Sequence, residues 1–311
     1  METSFIEGAL PEGFRCDFDS YLFNEPKNLT IQASEGWHSF YAVRTEKKIA
    51  KARVHFFVQD GAAISPLKNP FGSYEFSDTL PPRELFEFIK WIEGRLAPLG
   101  VKRIEIKSYP ELYNRSRSAL LSTFLFNQGY RVKKAELSAC IEVSASSLYQ
   151  VMSSWEKRKA GQIRRSNLRF GLMPVSRLKD VYEFISSCRE ERRQTLSMTY
   201  GQIKTVSDHF PDRFLLFGMF DNNSLAAASI SILVNNTILY NFYSGHAKQY
   251  DKLSPVVRLM EGIYEHCQTE KIKLIDLGTS ALQGRPNFTL LDFKLNLSAT
   301  PTQKLVYEKV L

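Results

Sequence analysis

The order of structural signals in this chain repeats itself. Along its 311 residues, a strand, a turn, two more strands and a loop lead into a helix that opens on a Leu-x-Pro segment. That helix then leads into a short alternating strand. The helix starts are Leu80-Pro81-Pro82 and Leu253-Ser254-Pro255, and the strands that follow are VKRIEIK (Val101–Lys107) and IKLIDLG (Ile272–Gly278), roughly 170 residues apart. Proline suits a first helical turn because the N–H it lacks would have no partner inside the helix. The expectation is a duplicated α/β unit with a mixed (α+β) sheet. The domains are drawn at 1–145 and 146–311, each long enough to bury its own core.

The local patterns support this. In the first copy, Ser39–Arg44, Ile49–Val58 and Ala62–Pro66 read as strands around Glu46-Lys47 and Gln59-Asp60-Gly61 turns. Leu85, Phe88, Ile89 and Ile92 fall on one helical face. A helix over Ser118–Gln128 stops at Gly129, before a long strand, Tyr130–Val143. In the second copy, a helix over Arg177–Gln194 is followed by strands over Phe214–Phe220, Leu225–Leu233 and Thr237–Ser244. A helix then runs from Ser254 to about Cys267, and a short helix and last strand fill Phe288–Leu311. The first forty residues show no regular pattern.

The bulk chemistry excludes several classes. Cys16, Cys140, Cys188 and Cys267 are far apart, and the five histidines show no ligand spacing, so no metal centre or disulfide framework is expected. FLLFGMF and LAAASISILV are too short to span a bilayer, and METSFIEGALPEGF lacks the apolar core of a signal peptide. A soluble, cytoplasmic protein is expected. The formal charge of +8 favours an anionic partner.

The Ser254 helix carries the clearest site. Ser254 is expected to cap it, and free N–H groups at Val256 and beyond would face an anion. The preceding loop adds Lys248, Tyr250 and Lys252. Tyr240, Tyr243 and His246 lie on or just past the strand before it, placed to relay a proton, and Asp276 stands at a strand end, where a carboxylate would bind or deprotonate an amine. Lys294, within LLDFKLNL, is placed to hold a phosphate or carbonyl. Lys157, Arg158, Lys159, Arg164, Arg165 and Arg169 form a basic face suited to nucleic-acid phosphates, whereas Arg189–Arg193 is balanced by Glu190 and Glu191 and reads as solvated surface.

Taken together, strands, loop, helix and a strand ending in Asp276-Leu277-Gly278 resemble the GNAT acyltransferase unit. Its duplication, the segment Gln162-Ile163-Arg164-Arg165-Ser166-Asn167 and the pair Phe293-Lys294 are similar to the Fem-like branch. The resemblance implies an N-acyltransferase or aminoacyltransferase. The donor, acyl-CoA, an acyl carrier or aminoacyl-tRNA, would bind as substrate at the central helix start of the second copy, beside a splayed strand pair. No cofactor would be bound permanently, and an amine acceptor would lie in the cleft between copies. The glycine-rich pyrophosphate loop usual in GNAT proteins is absent before Ser254. That leaves two alternatives open: a non-catalytic binding protein on the same fold, and an RNA-binding module at residues 155–169.

Overall fold

The computed structural model describes residues 3–164, 166–282 and 285–311. Residues 1–136 with 303–311 make one compact unit, and residues 137–302 make the other. The division therefore differs from the sequence boundary at 145/146. Most of the C-terminal strand belongs to the first unit, a long-range pairing that local patterns do not encode.

In the first unit the strands are β1 (Ser4–Glu7), β2 (Arg15–Cys16), β3 (Trp37–Arg44), β4 (Ile49–Gln59), β5 (Ala62–Ser65), β6 (Glu75–Phe76), β7 (Arg103–Lys107) and the beginning of β8 (Arg131–Glu142). The helices are α1 (Pro26–Gln32), α2 (Pro82–Leu96) and α3 (Arg115–Asn127). The β4–β5 hairpin turns at Asp60-Gly61, both left-handed at φ 50° and 72°, which matches the twist of the flanking strands. β5 and β7 are parallel neighbours, and α2 is the crossover between them. Leu85, Phe88, Ile89, Ile92 and Leu96 of α2 are all buried against Phe40, Val54, Phe56 and Ile104 of the sheet. The start of α2 is filled by the chain's own charge, since Arg44 donates to both Glu84 oxygens at 3.0 and 2.9 Å. The first forty residues are not irregular: they hold β1 and α1, both short and only partly apolar.

The second unit takes the end of β8, then α4 (Leu148–Val151), α5 (Ser154–Arg164), β9 (Arg169–Met173), α6 (Leu178–Glu190), α7 (Tyr200–His209), β10 (Phe214–Asp221), β11 (Ser224–Asn235), β12 (Ile238–His246), α8 (Pro255–Thr269), β13 (Leu274–Thr279), β14 (Ala281–Leu282), β15 (Arg285–Pro286) and α9 (Phe288–Asn296). The last strand, β16 (Thr300–Val310), begins here and then pairs antiparallel with β7 in the first unit's sheet. Within the second unit the strand order is β8-β13-β12-β11-β10-β9. β12 and β13 are parallel, with α8 as their crossover, so the arrangement around α2 is repeated around α8. α8 lies unusually deep: Val257, Leu259, Met260, Ile263, Tyr264 and Cys267 are buried. Gly262 permits this, because a Cβ there would sit 2.3 Å from the Phe170 ring on β9.

Candidate functional site

Two irregularities in β12 build the site. Its ladder to β11 pairs Tyr243 with Ile230 and Asn241 with Ser231, leaving Phe242 as the extra residue of a β-bulge. Its parallel ladder to β13 covers Ile238–Tyr240 against Leu274–Asp276 and goes no further, although β12 continues to His246 and β13 to Thr279. The two strands part beyond Tyr240 and Asp276. Gly278 turns there at φ 72°, with the Tyr240 ring in contact range of the position a Cβ would take.

Next to the end of β12 opens a cleft of about 320 Å³. Ser244, Gly245 and His246 form one wall and Ser254, Val256 and Val257 at the start of α8 form another. Leu290 and Phe293 of α9 supply apolar surface. Three cations reach it: Lys159 from α5, Arg189 from the last turn of α6 and Arg192 from the turn that follows it. Arg189 donates to Gln194 Oε1 at 2.7 Å and to the Ser244 carbonyl at 3.0 Å, and no carboxylate pairs with it among the described residues. Burial, and then the charge of Arg192, lower its proton affinity. Arg192 donates to Asp251 Oδ1 at 2.8 Å, and His246 Nε2 lies 2.8 Å from the same oxygen. Burial and the Arg192 guanidinium hold the imidazole below its ordinary range, against the pull of Asp251. At this helix start Pro255 has no N–H and the Val257 N–H donates to the Ser254 carbonyl at 3.0 Å, so the positive end of the helix dipole and the gathered cations are what would favour an anion.

Ser254 does not cap α8 as expected. It is left-handed at φ 51°, makes no side-chain cap bond, and ends a 3₁₀ turn over Lys248–Leu253. A helix N-cap needs extended backbone, and Ser254 cannot supply it while closing that turn. Lys248 and Lys252 are exposed on the turn and do not line the cleft, and Tyr250 donates to Asp221 Oδ2 at 2.9 Å. Tyr243 is turned to the 194–199 loop: its hydroxyl accepts from the Met198 N–H at 2.9 Å and lies 2.6 Å from Ser197 Oγ. Arg164 pairs with Glu261 at 2.9 Å and stacks on Tyr149, Arg158 lies over the Trp155 ring, and Arg165 falls outside the described residues.

Asp276 and Lys294 form a buried cluster behind the parted strands. Asp276 Oδ1 accepts from Ser138 Oγ at 3.1 Å and from the Gly278 N–H at 2.7 Å. Lys294 donates to the carbonyls of Gly278 at 2.7 Å and Thr279 at 3.1 Å. Burial lowers its pKa to about 8, with Asp276 pulling the other way. An ammonium has three protons, so one remains for another acceptor. Burial, and then Asp276, push the neighbouring Cys140 thiol well up.

Arg189 and Arg192 were not singled out from sequence, where Glu190 and Glu191 balance them. For Arg189 the missed signal is helical phase, since it shares a face with the buried Ile185, whereas Arg192 lies two residues past the end of α6, where phase gives no signal. Among the described residues no group of three or more His, Cys, Asp or Glu is arranged to hold a metal ion.

No protein-family model matches the chain, and no curated protein matches it. Solved structures do. FemX is similar over 94% of this chain and 93% of its own, with a TM-score of 0.72 at 10% identity. L-PGS from Bacillus licheniformis is similar over 91% of both chains, with a TM-score of 0.58 at 9% identity. A tandem GNAT protein from the clavulanic acid biosynthesis pathway is similar over 99% of this chain and 98% of its own, with a TM-score of 0.52 at 10% identity. Identities this low speak to architecture, and with the repeated crossover helices and the parted strands they establish that this chain has the tandem GNAT fold of Fem-like proteins.

Proposed function

We propose that this protein is an N-acyltransferase or aminoacyltransferase whose second unit binds the activated donor. The observation that carries the reading is the conjunction of a cationic cleft at the start of α8 with strands that part beside it. In this reading the donor's phosphates sit against the Val256 and Val257 end of α8, with Arg189, Arg192 and Lys159 around them. The acyl carbonyl lies between β12 and β13. The amine nitrogen attacks that carbonyl, the C–N bond forms, and the oxyanion collapses as the thiol or hydroxyl leaving group departs. Main-chain groups freed by the bulge at Phe242 and by strand separation are available to the oxyanion. The third proton of Lys294 serves the oxyanion or the leaving group. His246, set between Arg192 and Asp251 at the cleft wall, is the candidate to receive the amine proton. Asp276, which accepts from Ser138 and from the Gly278 N–H and is buried, orients the turn that Lys294 grips rather than meeting the amine itself.

The fold is shared by enzymes named for different acceptors, so the donor class is tested directly. The protein is titrated with acetyl-CoA, a long-chain acyl-CoA and an aminoacylated RNA minihelix, reading both thermal stabilisation and product amide. A ligand that binds only the folded state raises apparent stability. Stabilisation by one donor, lost in Arg189→Ala, supports the reading. Binding without amide formation from any amine supports a non-catalytic protein. No response to any donor overturns the reading.

A further inference from the structure

α5 and α9 flank the cationic cleft; Ala160 and Ile163 of α5 and Phe293 of α9 pack on the core, and other large apolar side chains on both helices stay outside it. Lys159 of α5 and Leu290 and Phe293 of α9 line the same opening, and the Ser153 N–H donates to the Asn296 carbonyl at 2.9 Å, tying the segment before α5 to the end of α9. On these helices and at the end of α4, large apolar side chains stand in solvent: Phe288 is 67% exposed, Trp155 55%, Val151 43%, Leu295 39% and Leu290 37%. Scattered exposed leucines need no explanation, but Phe288 and Leu295 share one face of α9 and Trp155 on α5 is more than half exposed, so both helices offer apolar contact surface.

The charges beside it are cationic. Arg158 lies over the Trp155 ring at 4.7 Å and Lys159 at 5.5 Å, with Lys157 just before them in sequence. Glu156 on the same helix is buried and pairs with Lys159, which leaves Asp292 as the acid on α9. Aromatic and aliphatic side chains ringed by Lys and Arg have the composition of an interfacial surface, in which the rings and leucines enter the acyl boundary and the cations meet lipid phosphates. Single-stranded RNA would use Trp155 and the cations but would leave Val151, Leu290 and Leu295 without a role, because bases stack on rings.

We infer that the α5–α9 rim docks the second unit on the surface of an anionic lipid bilayer. No helix among the described residues is long and apolar enough to cross one, so this contact is peripheral. It brings the mouth of the cleft to the lipid headgroups, and it stands whether or not the cleft performs acyl transfer.

Co-sedimentation of the full chain with vesicles tests it. Vesicles of phosphatidylcholine with 30% phosphatidylglycerol, about that fraction being enough for a strong surface potential, are compared with phosphatidylcholine alone. Binding is expected on the anionic vesicles, with Trp155 emission shifting to the blue, and it should weaken in salt. Removing one cation costs about fivefold, so Arg158→Glu should weaken binding roughly 25-fold. Phe288→Ser with Trp155→Ala should weaken it at least tenfold, and Trp155→Phe alone should bind within about threefold of the wild type. Unchanged melting temperatures show that the variants fold. Equal binding to both vesicle types, or no binding, overturns the inference. So does binding of a single-stranded RNA oligonucleotide that is lost in Trp155→Ala while the vesicles stay unbound, which would assign the rim to nucleic acid.

Discussion

Replacing Arg189 with Met separates binding from folding. In the empty cleft Arg189 makes two hydrogen bonds to neutral acceptors, Gln194 Oε1 and the Ser244 carbonyl. These contribute about 1 kcal/mol each at most. Against them stands repulsion from Arg192, in a setting that already lowers Arg189's proton affinity. The side chain's methylenes are kept by Met, so the net change in stability should lie within about 1 kcal/mol. With a phosphate in the cleft the balance reverses. A guanidinium–phosphate contact there is charge-assisted and contributes about 1.5–3 kcal/mol. Its loss should weaken donor binding by roughly 10- to 150-fold, at about 1.4 kcal/mol per decade. Calorimetric titration with CoA and with inorganic pyrophosphate, at low and at moderate salt, measures this. The wild type should lose affinity with salt more steeply than the variant. If the variant binds within twofold of the wild type at both salts, Arg189 does not face the ligand and the cleft is misassigned.

Three other outcomes follow from named side chains. Lys294, with a folded pKa of about 8 against 10.5 unfolded, penalises folding below pH 8, and the penalty is relieved as pH rises from 8 to 10.5, by up to about 3 kcal/mol. Denaturation of Lys294→Met should show that slope removed, and its transfer rate should fall about a hundredfold or more; a parallel pH profile would mean the lysine is not buried as described. His55 of β4 is fully buried beside Ser39, and burial followed by the Arg53 charge takes its pKa to about 3. Stability should therefore fall as pH drops from 6.5 toward 3, and His55→Gln should flatten that acid limb in urea titrations. Gly262→Ala should destabilise by about 1–3 kcal/mol, since the new methyl overlaps the Phe170 ring, and Phe170→Leu in the same chain should recover part of the loss.

The repeat was legible because it is written in local chemistry. Leu85, Phe88, Ile89 and Ile92 declare a helix by spacing alone, and the turn residues at Asp60-Gly61 and Asn222-Asn223 separate strands without help from the fold. α7 was missed although Thr199 and Gln202 form a reciprocal capping box at its start, because its mostly polar surface shows little periodicity. β9 was missed because five residues around Gly171 do not alternate clearly. The return of β16 to the first unit was not legible at all, since strand partners far apart in sequence leave no local mark. At the site, the sequence singled out the α8 start, which lines the cleft, and Lys248 and Lys252, which do not. Charge counting along the chain cancels Arg189 and Arg192 against Glu190 and Glu191, while helical phase turns Arg189 to the cleft and the turn after α6 brings Arg192 beside it. Ser254 was misjudged because Ser-Pro before a helix usually marks a cap, and here the preceding 3₁₀ turn forces the serine into left-handed backbone.

The account's central claim is that an anionic donor lodges at the start of α8, and backbone amide shifts measured by NMR during CoA titration test it at single residues. The largest changes should fall on Val256, Val257 and Gly245, with Arg189 side-chain resonances moving in step and reversal in high salt. Changes confined to other parts of the chain, or none at CoA concentrations that saturate thermal stabilisation, would contradict it.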